Sequence, residues 1–104
     1  MKLNGQENIN VLEAIKRVEH PAIATTLLDL GMVRDITVTP DGKAALTLAL
    51  PLPNIPDNIQ DFLIKSLKSA ALAAGGNLST VKLALMDEEE RQNFLAKEKL
   101  HWRG

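Results

Sequence analysis

A chain of 104 residues with a formal net charge of −1 is sized for one domain with one core. A charge so near zero gives no field to gather DNA, RNA or an anionic membrane, and Phe62, Phe94 and Trp102 alone make no base-stacking platform. The lack of cysteine excludes disulfides, thiolate metal sites and a cysteine nucleophile within the chain.

The opening Met1 to Asn10 is polar and has no apolar core of a signal peptide, and no apolar run approaches the ~18 residues of a membrane span. A cytoplasmic protein is the expectation. Asn10 to Val18 then reads as a helix, with Asn10 as cap and Glu13 at the capping-box position. Val11, Leu12, Ile15 and Val18 fall on one stripe, and Pro21 closes the segment. Between Ala22 and Gly31 the pattern fits no single element; Ile23, Leu27, Leu28 and Leu30 read as buried, and Gly31 as a turn.

Met32 to Thr39 reads as a strand, with Ile36 and Val38 on one face and Thr37 and Thr39 on the other. Pro40-Asp41-Gly42 is a turn, because proline presets φ and glycine accepts φ > 0. Ala44 to Leu50 is the second strand, with Leu46, Leu48 and Leu50 inward and Ala45, Thr47 and Ala49 outward. The short turn makes the pair an antiparallel hairpin.

Leu50 to Asp57 is a stiff loop. Pro51, Pro53 and Pro56 each fix φ, remove a backbone donor and press the preceding residue toward extended geometry. Asp57 reads as the cap of a long helix to Ala74, whose stripe is Ile59, Phe62, Leu63, Leu67, Ala70, Ala71 and Ala74. Leu48 and Phe62 stand as core residues on this reading. Gly75-Gly76-Asn77 stops the helix. Thr80 to Leu85 is a third strand with Val81, Leu83 and Leu85 inward; a right-handed crossover sets it parallel to the second. The last segment, Asp87 to Gly104, has helix grammar: Asp87 as cap, Glu88 to Glu90 at the positive pole, Lys97 and Lys99 near the other. Phe94, Leu95 and Trp102 are its docking candidates.

The fold expected is α/β (α+β): a small mixed three-stranded sheet in the order α-β-β-α-β-α, with helices mainly on one face. Residues 1–86 form the domain and 87–104 a helical tail.

The order helix, His-Pro, Leu-Gly, hairpin, proline loop, helix, strand resembles the metal–sulfur cluster assembly domain family (PaaD-like, SufT-like), also found at the N-terminus of Mrp/ApbC-type cluster-carrier ATPases. The resemblance runs from about Val11 to Leu85 and rests on three stretches: Val18 to Ile23, Leu28 to Val33, and Leu50 to Pro56. The family motifs read Val-x-Asp-Pro-Glu-Ile, then Asp-Leu-Gly-Leu-Val, then a loop ending Thr-x-Pro-x-Cys-Pro. Val18, Pro21, Ile23, Asp29, Leu30, Gly31, Val33, Pro53 and Pro56 match. His20 stands at the family's Asp, Ala22 at its Glu, Pro51 or Leu52 at its Thr, and Ile55 at its cysteine. The scaffold motifs are kept and the reactive ones are replaced. The resemblance implies the fold, and a role by partner binding, without cluster ligation by the usual cysteine.

Other signals have plain structural readings. His20 fits a helix end near the negative pole, and Asp29 and Gly31 fit a local turn. Gly75-Gly76 trails a helix and lacks a following Lys-Ser/Thr, so it is no phosphate loop. Ser66, Ser69 and Ser79 lie in no nucleophile setting. The sequence assigns no catalytic residue, cofactor or metal ligand. It points to a non-catalytic accessory of iron–sulfur cluster or metal-centre assembly that binds an assembly ATPase or a client. The contact positions are His20, Pro21, Asp29, Gly31, Pro53, Ile55 and Pro56. A second copy of the chain is a further candidate partner. The alternative is an interaction or self-association module of the same fold with no part in cluster assembly.

Overall fold

The computed structural model describes residues 4–102, with side chains from Asn10 onward. Its elements are α1 (Asn4–Lys16), β1 (Val33–Val38), β2 (Lys43–Leu50), α2 (Asp57–Ala73), β3 (Asn77–Leu85) and α3 (Glu88–His101). The α-β-β-α-β-α order expected from the sequence is the one observed.

The sheet order is β1-β2-β3, antiparallel between β1 and β2 and parallel between β2 and β3. The hairpin turn works as its residues dictate. Gly42 sits at φ 87°, its N–H donates to the Thr39 carbonyl, and the Thr39 hydroxyl bonds the Asp41 carboxylate and accepts from Lys43 N–H. Between Arg34 and Thr37 the register slips by a bulge, where Asp35 takes a φ of 55°. Central β2 is buried from Leu46 through Leu50, which is where the core is thickest.

α1 differs from the sequence reading at both ends. It begins at Asn4, so Asn10 lies inside it and caps nothing. It ends at Lys16, well before Pro21. Among its described side chains Val11 and Ile15 are buried and Leu12 is half-buried, as is Val18 just beyond its end.

α2 starts one residue earlier in its capping than expected: Pro56 is the N-cap, without a side-chain bond, and Asp57 is the first helical residue. The Asp57 carboxylate acts on the helix dipole from the first turn instead. The buried seam of α2 is Leu63, Leu67 and Ala71, spaced four apart. Phe62 lies a helical step of 100° off that seam and is 51% exposed, so it is not a core residue. At the far end, the Gly76 N–H donates to Ala71 O and the Gly75 N–H to Leu72 O, the paired bonds of a Schellman stop, with Gly75 at φ 90°.

Two leucine assignments on β3 are also corrected. Leu83 and Leu85 are exposed, although they share a face with buried Leu48 and Leu50 of β2. β3 is an edge strand, and the helix layer covers the middle of the sheet more fully than this margin. Leu28, in the segment before β1, is likewise exposed, whereas Ile23, Leu27 and Leu30 are buried.

α3 carries its predicted cap. The Asp87 carboxylate accepts from Glu90 N–H and the Glu90 carboxylate accepts from Asp87 N–H, each at 2.8 Å. Phe94 is its buried anchor; Leu95 and Trp102 remain about half exposed. No helix among the described residues is long and apolar enough to cross a membrane.

Candidate functional site: an apolar cleft under the proline loop

The segment from Val18 to Gly31 folds back on itself. Leu27 N–H donates to Val18 O, His20 N–H to Thr25 O, and Glu19 bridges Thr26. Ile23, Leu27 and Leu30 turn inward from this loop and fix it to the core. Gly31 then turns the chain into β1 at φ 78°, with open space where a Cβ would point, so conformation and not room is what its glycine supplies. The end of α3 clamps the loop from outside: Ala24 N–H donates to His101 O, and Ile23 bridges Trp102.

The loop brings His20 to the rim of a cleft of about 360 Å³. The His20 Nδ1 accepts the Ala22 N–H at 3.0 Å, which requires that nitrogen to be unprotonated and aims the other one away from the bond. The second wall is the proline loop. Pro51 is buried, Leu52 is exposed, and Ile55 is half-buried against the core, its carbonyl accepting from the Gln60 side chain. Ile59 and Leu63 of α2 form the floor. Phe94 and Leu95 of α3 close the third side, with Arg91 and Glu98 supplying the charged rim.

Of the seven positions singled out from the sequence, the structure brings two together in this cleft, His20 and Ile55. Pro21 is exposed in the folded loop, and Pro56 caps α2. Pro53 lines a separate, shallower hollow with Leu52, Leu83 and Leu85. Asp29 does not bond backbone amides with its carboxylate. It accepts from the Thr25 hydroxyl at 2.7 Å and from Lys97 of α3 at 3.0 Å. Lys97 also donates to the Asp29 carbonyl, so this residue ties loop to tail. Arg34 of β1 and Glu90 of α3 make a second such tie.

Asp29 carries a pH dependence with a definite sign. The Thr25 hydroxyl first, and then Lys97, hold its carboxyl below the ordinary value of 3.8. A lowered folded value means stabilisation present above the ordinary value and lost as pH falls through the lowered one. Both side chains are about two-fifths exposed, so the contribution is that of a surface pair, roughly 0.2–1 kcal/mol. Asp29→Asn should cost that much at neutral pH, and the gap to the unaltered chain should close in acid. Urea titrations at several pH values check it. A gap of constant size would mean the charge contributes nothing.

The contribution of α3 to the cleft was not readable from the chain. Phe94 was visible as a docking residue, but not that it shares a pocket with Ile55. Its only sequence signal is an aromatic side chain in an otherwise strongly charged helix.

Chemically the cleft is a recess for apolar groups. It holds no serine, and among the described residues no three His, Asp or Glu side chains converge as a metal site. Fold and cleft together define a small α/β domain that presents a proline-stiffened apolar recess. Residues 9–82 match the family described as iron–sulfur cluster assembly protein, and the chain belongs to that family. It is 28% identical, over 85 residues, to a Porphyromonas gingivalis protein called Fe-S protein maturation auxiliary factor; the match covers 82% of this chain and 78% of that one. Its fold is shared with the crystal structure of a domain of unknown function, DUF59, from Bacillus anthracis, at a TM-score of 0.51 and 16% identity over 88% of this chain and 92% of the other. The family match stops at residue 82, so the α3 wall of the cleft lies outside it.

Proposed function

We propose that this chain serves iron–sulfur cluster or metal-centre assembly in the cytoplasm as a non-catalytic accessory, by docking an assembly ATPase or a client protein at the cleft. Membership of the family supports the pathway. The observation that carries the docking role is Ile55. At the place where the resemblance puts the family's cysteine, this chain has an apolar side chain in an apolar recess. A thiolate would hold a metal or a sulfur, whereas isoleucine can only pack. His20 and Ile55 are the contact positions; Pro21, Asp29, Gly31, Pro53 and Pro56 shape the two loops that hold them.

Preorganisation supports the same reading. The three prolines have already removed most of the loop's freedom, so binding there loses little conformational entropy. Each apolar side chain fully buried by a partner contributes roughly 1.5–3 kcal/mol. Affinity capture of the tagged chain from its native cells tests the pathway. Enrichment of iron–sulfur assembly proteins is expected. Capture of a reproducible set that contains none of them would favour the alternative, a module of this fold outside cluster assembly.

A further inference from the structure

The far edge of the sheet is built differently from the cleft. β3 spans nine residues, and among the described residues it pairs only with β2. The Met86 N–H donates to Leu50 O, which fixes the direction of the alternating backbone groups. Lys82 and Ala84 turn their N–H and C=O toward β2. Val81, Leu83 and Leu85 turn theirs outward, to the open edge. An unpaired edge of this kind is a template for another strand.

The side chains at this edge are apolar as well. Leu83 and Leu85 are 55% and 54% exposed, while their register partners on β2, Leu48 and Leu50, are 0% and 7% exposed. Lys82 is the one charge on the strand. The edge continues into the hollow formed with Leu52 and Pro53, so the apolar margin is wider than the strand itself.

We infer that β3 pairs with β3 of a second copy of this chain, antiparallel about a two-fold axis at Leu83, to give a continuous six-stranded sheet. The strand is its own complement: Val81 and Leu85 are apolar on either side of exposed Leu83, so a second copy sets apolar against apolar and leaves the one charge, Lys82, opposite Ala84. Any register centred on a residue presents the outward backbone groups to one another, but centring on Ala84 or Leu85 overlaps three residues of the strand or fewer, and centring on Thr80 leaves Leu85 unpaired. Centring on Lys82 sets two ammonium groups directly opposite, which like charges disfavour. Centring on Val81 runs the pairing into Ser79, where the β2–β3 register already slips, and leaves Leu85 facing Asn77. Centring on Leu83 avoids both. Leu83 then faces its own copy, Val81 faces Leu85 of the second copy, and Lys82 faces Ala84. All the leucines fall on the helix-bearing face, where each copy has left its margin uncovered. The edge shares Leu50 and Leu52 at its margin with the cleft, but the backbone pairing of Val81 to Leu85 does not depend on what the cleft binds.

The cysteine-free chain gives a clean test. A single Leu83→Cys change puts two thiols at a hydrogen-bonded antiparallel pair, where Cα atoms lie ~5.5 Å apart, within disulfide range. Mild oxidation should yield a covalent dimer. Val81→Cys, displaced from its own copy by four residues or ~13 Å, should not crosslink. In sedimentation equilibrium the unaltered chain should weigh twice its sequence mass at micromolar concentration. Leu83→Lys, at an exposed position, should weigh one chain mass with an unchanged circular dichroism spectrum. A monomeric unaltered chain would overturn the inference, and so would crosslinking of Val81→Cys as fast as Leu83→Cys. A monomer whose β3 edge captures a strand of some other protein would overturn it equally.

Discussion

Leu48→Ala should lower the unfolding free energy by about 2–5 kcal/mol, the range for emptying a fully buried leucine site. Leu48 sits on the central strand, pairs with Val33 on one side and Leu83 on the other, and is 0% exposed. No neighbouring strand end is free to collapse into the space, because β2 is buried along most of its length. A domain of this size has roughly 5–15 kcal/mol to lose in all, so the urea midpoint should fall steeply. Phe62→Ala is the contrast. It removes a larger side chain, but from a half-exposed position, and should fall nearer the ~0.5 kcal/mol typical of surface changes. If Phe62→Ala proved the costlier of the two, the buried seam of α2 would be wrongly placed.

Gly76→Ala is expected to be the other large loss. A Cβ at Gly76 would lie 2.5 Å from the Gly42 carbonyl oxygen and 2.6 Å from a Val11 methyl. The first of these is backbone in the hairpin turn and cannot swing aside. The second is the buried side chain by which α1 docks on the core. Forcing in one methyl should cost about 1–3 kcal/mol, the usual range for overpacking, through displacement of α1 or of the turn. Gly75→Ala next door has open space and pays only for its φ of 90°, about 1–2 kcal/mol. Thermal denaturation of both variants checks the order. A milder effect at Gly76 than at Gly75 would mean α1 is not seated against this turn.

These two glycines also show where sequence reasoning succeeded and where it stopped. Gly75-Gly76 was legible as a helix stop, because αL geometry and chain reversal are local properties. That Gly76 is also the floor under Val11 was not, since the contact joins residues 65 apart in the chain, from position 11 to position 76. The hairpin, α2, β3 and the Asp87 cap were legible for the same local reasons. Phe62, Leu83 and Leu85 were misjudged because an apolar pattern gives the face of an element, not how far its neighbours extend over it. Asn10 was misjudged because a residue well suited to capping does so only if the helix begins there.

The site divides in the same way. The proline loop was visible as stiff, and His20 and Ile55 were visible as replacements within a motif. Their meeting in one recess depends on the folded loop at Val18 to Gly31, whose anchors Ile23 and Leu27 stand at helical spacing in a segment that forms no helix. The third wall depends on α3, held by Asp29–Lys97 and Arg34–Glu90. Neither ion pair can be matched from sequence, where many opposite charges compete for each partner.

The most direct measurement of the docking account uses Leu52, because it lines the cleft yet is 48% exposed, so a charge there spares the core. The chain and its Leu52→Asp variant are titrated against an iron–sulfur assembly protein recovered by capture, with melting temperatures recorded on the same samples. Losing one apolar contact of about 1.5–3 kcal/mol corresponds to a fall in affinity of roughly tenfold or more. That fall, with a melting temperature within a few degrees of the unaltered chain, is the result the account predicts. Equal affinity for both proteins, with Leu52→Asp fully folded, would contradict it.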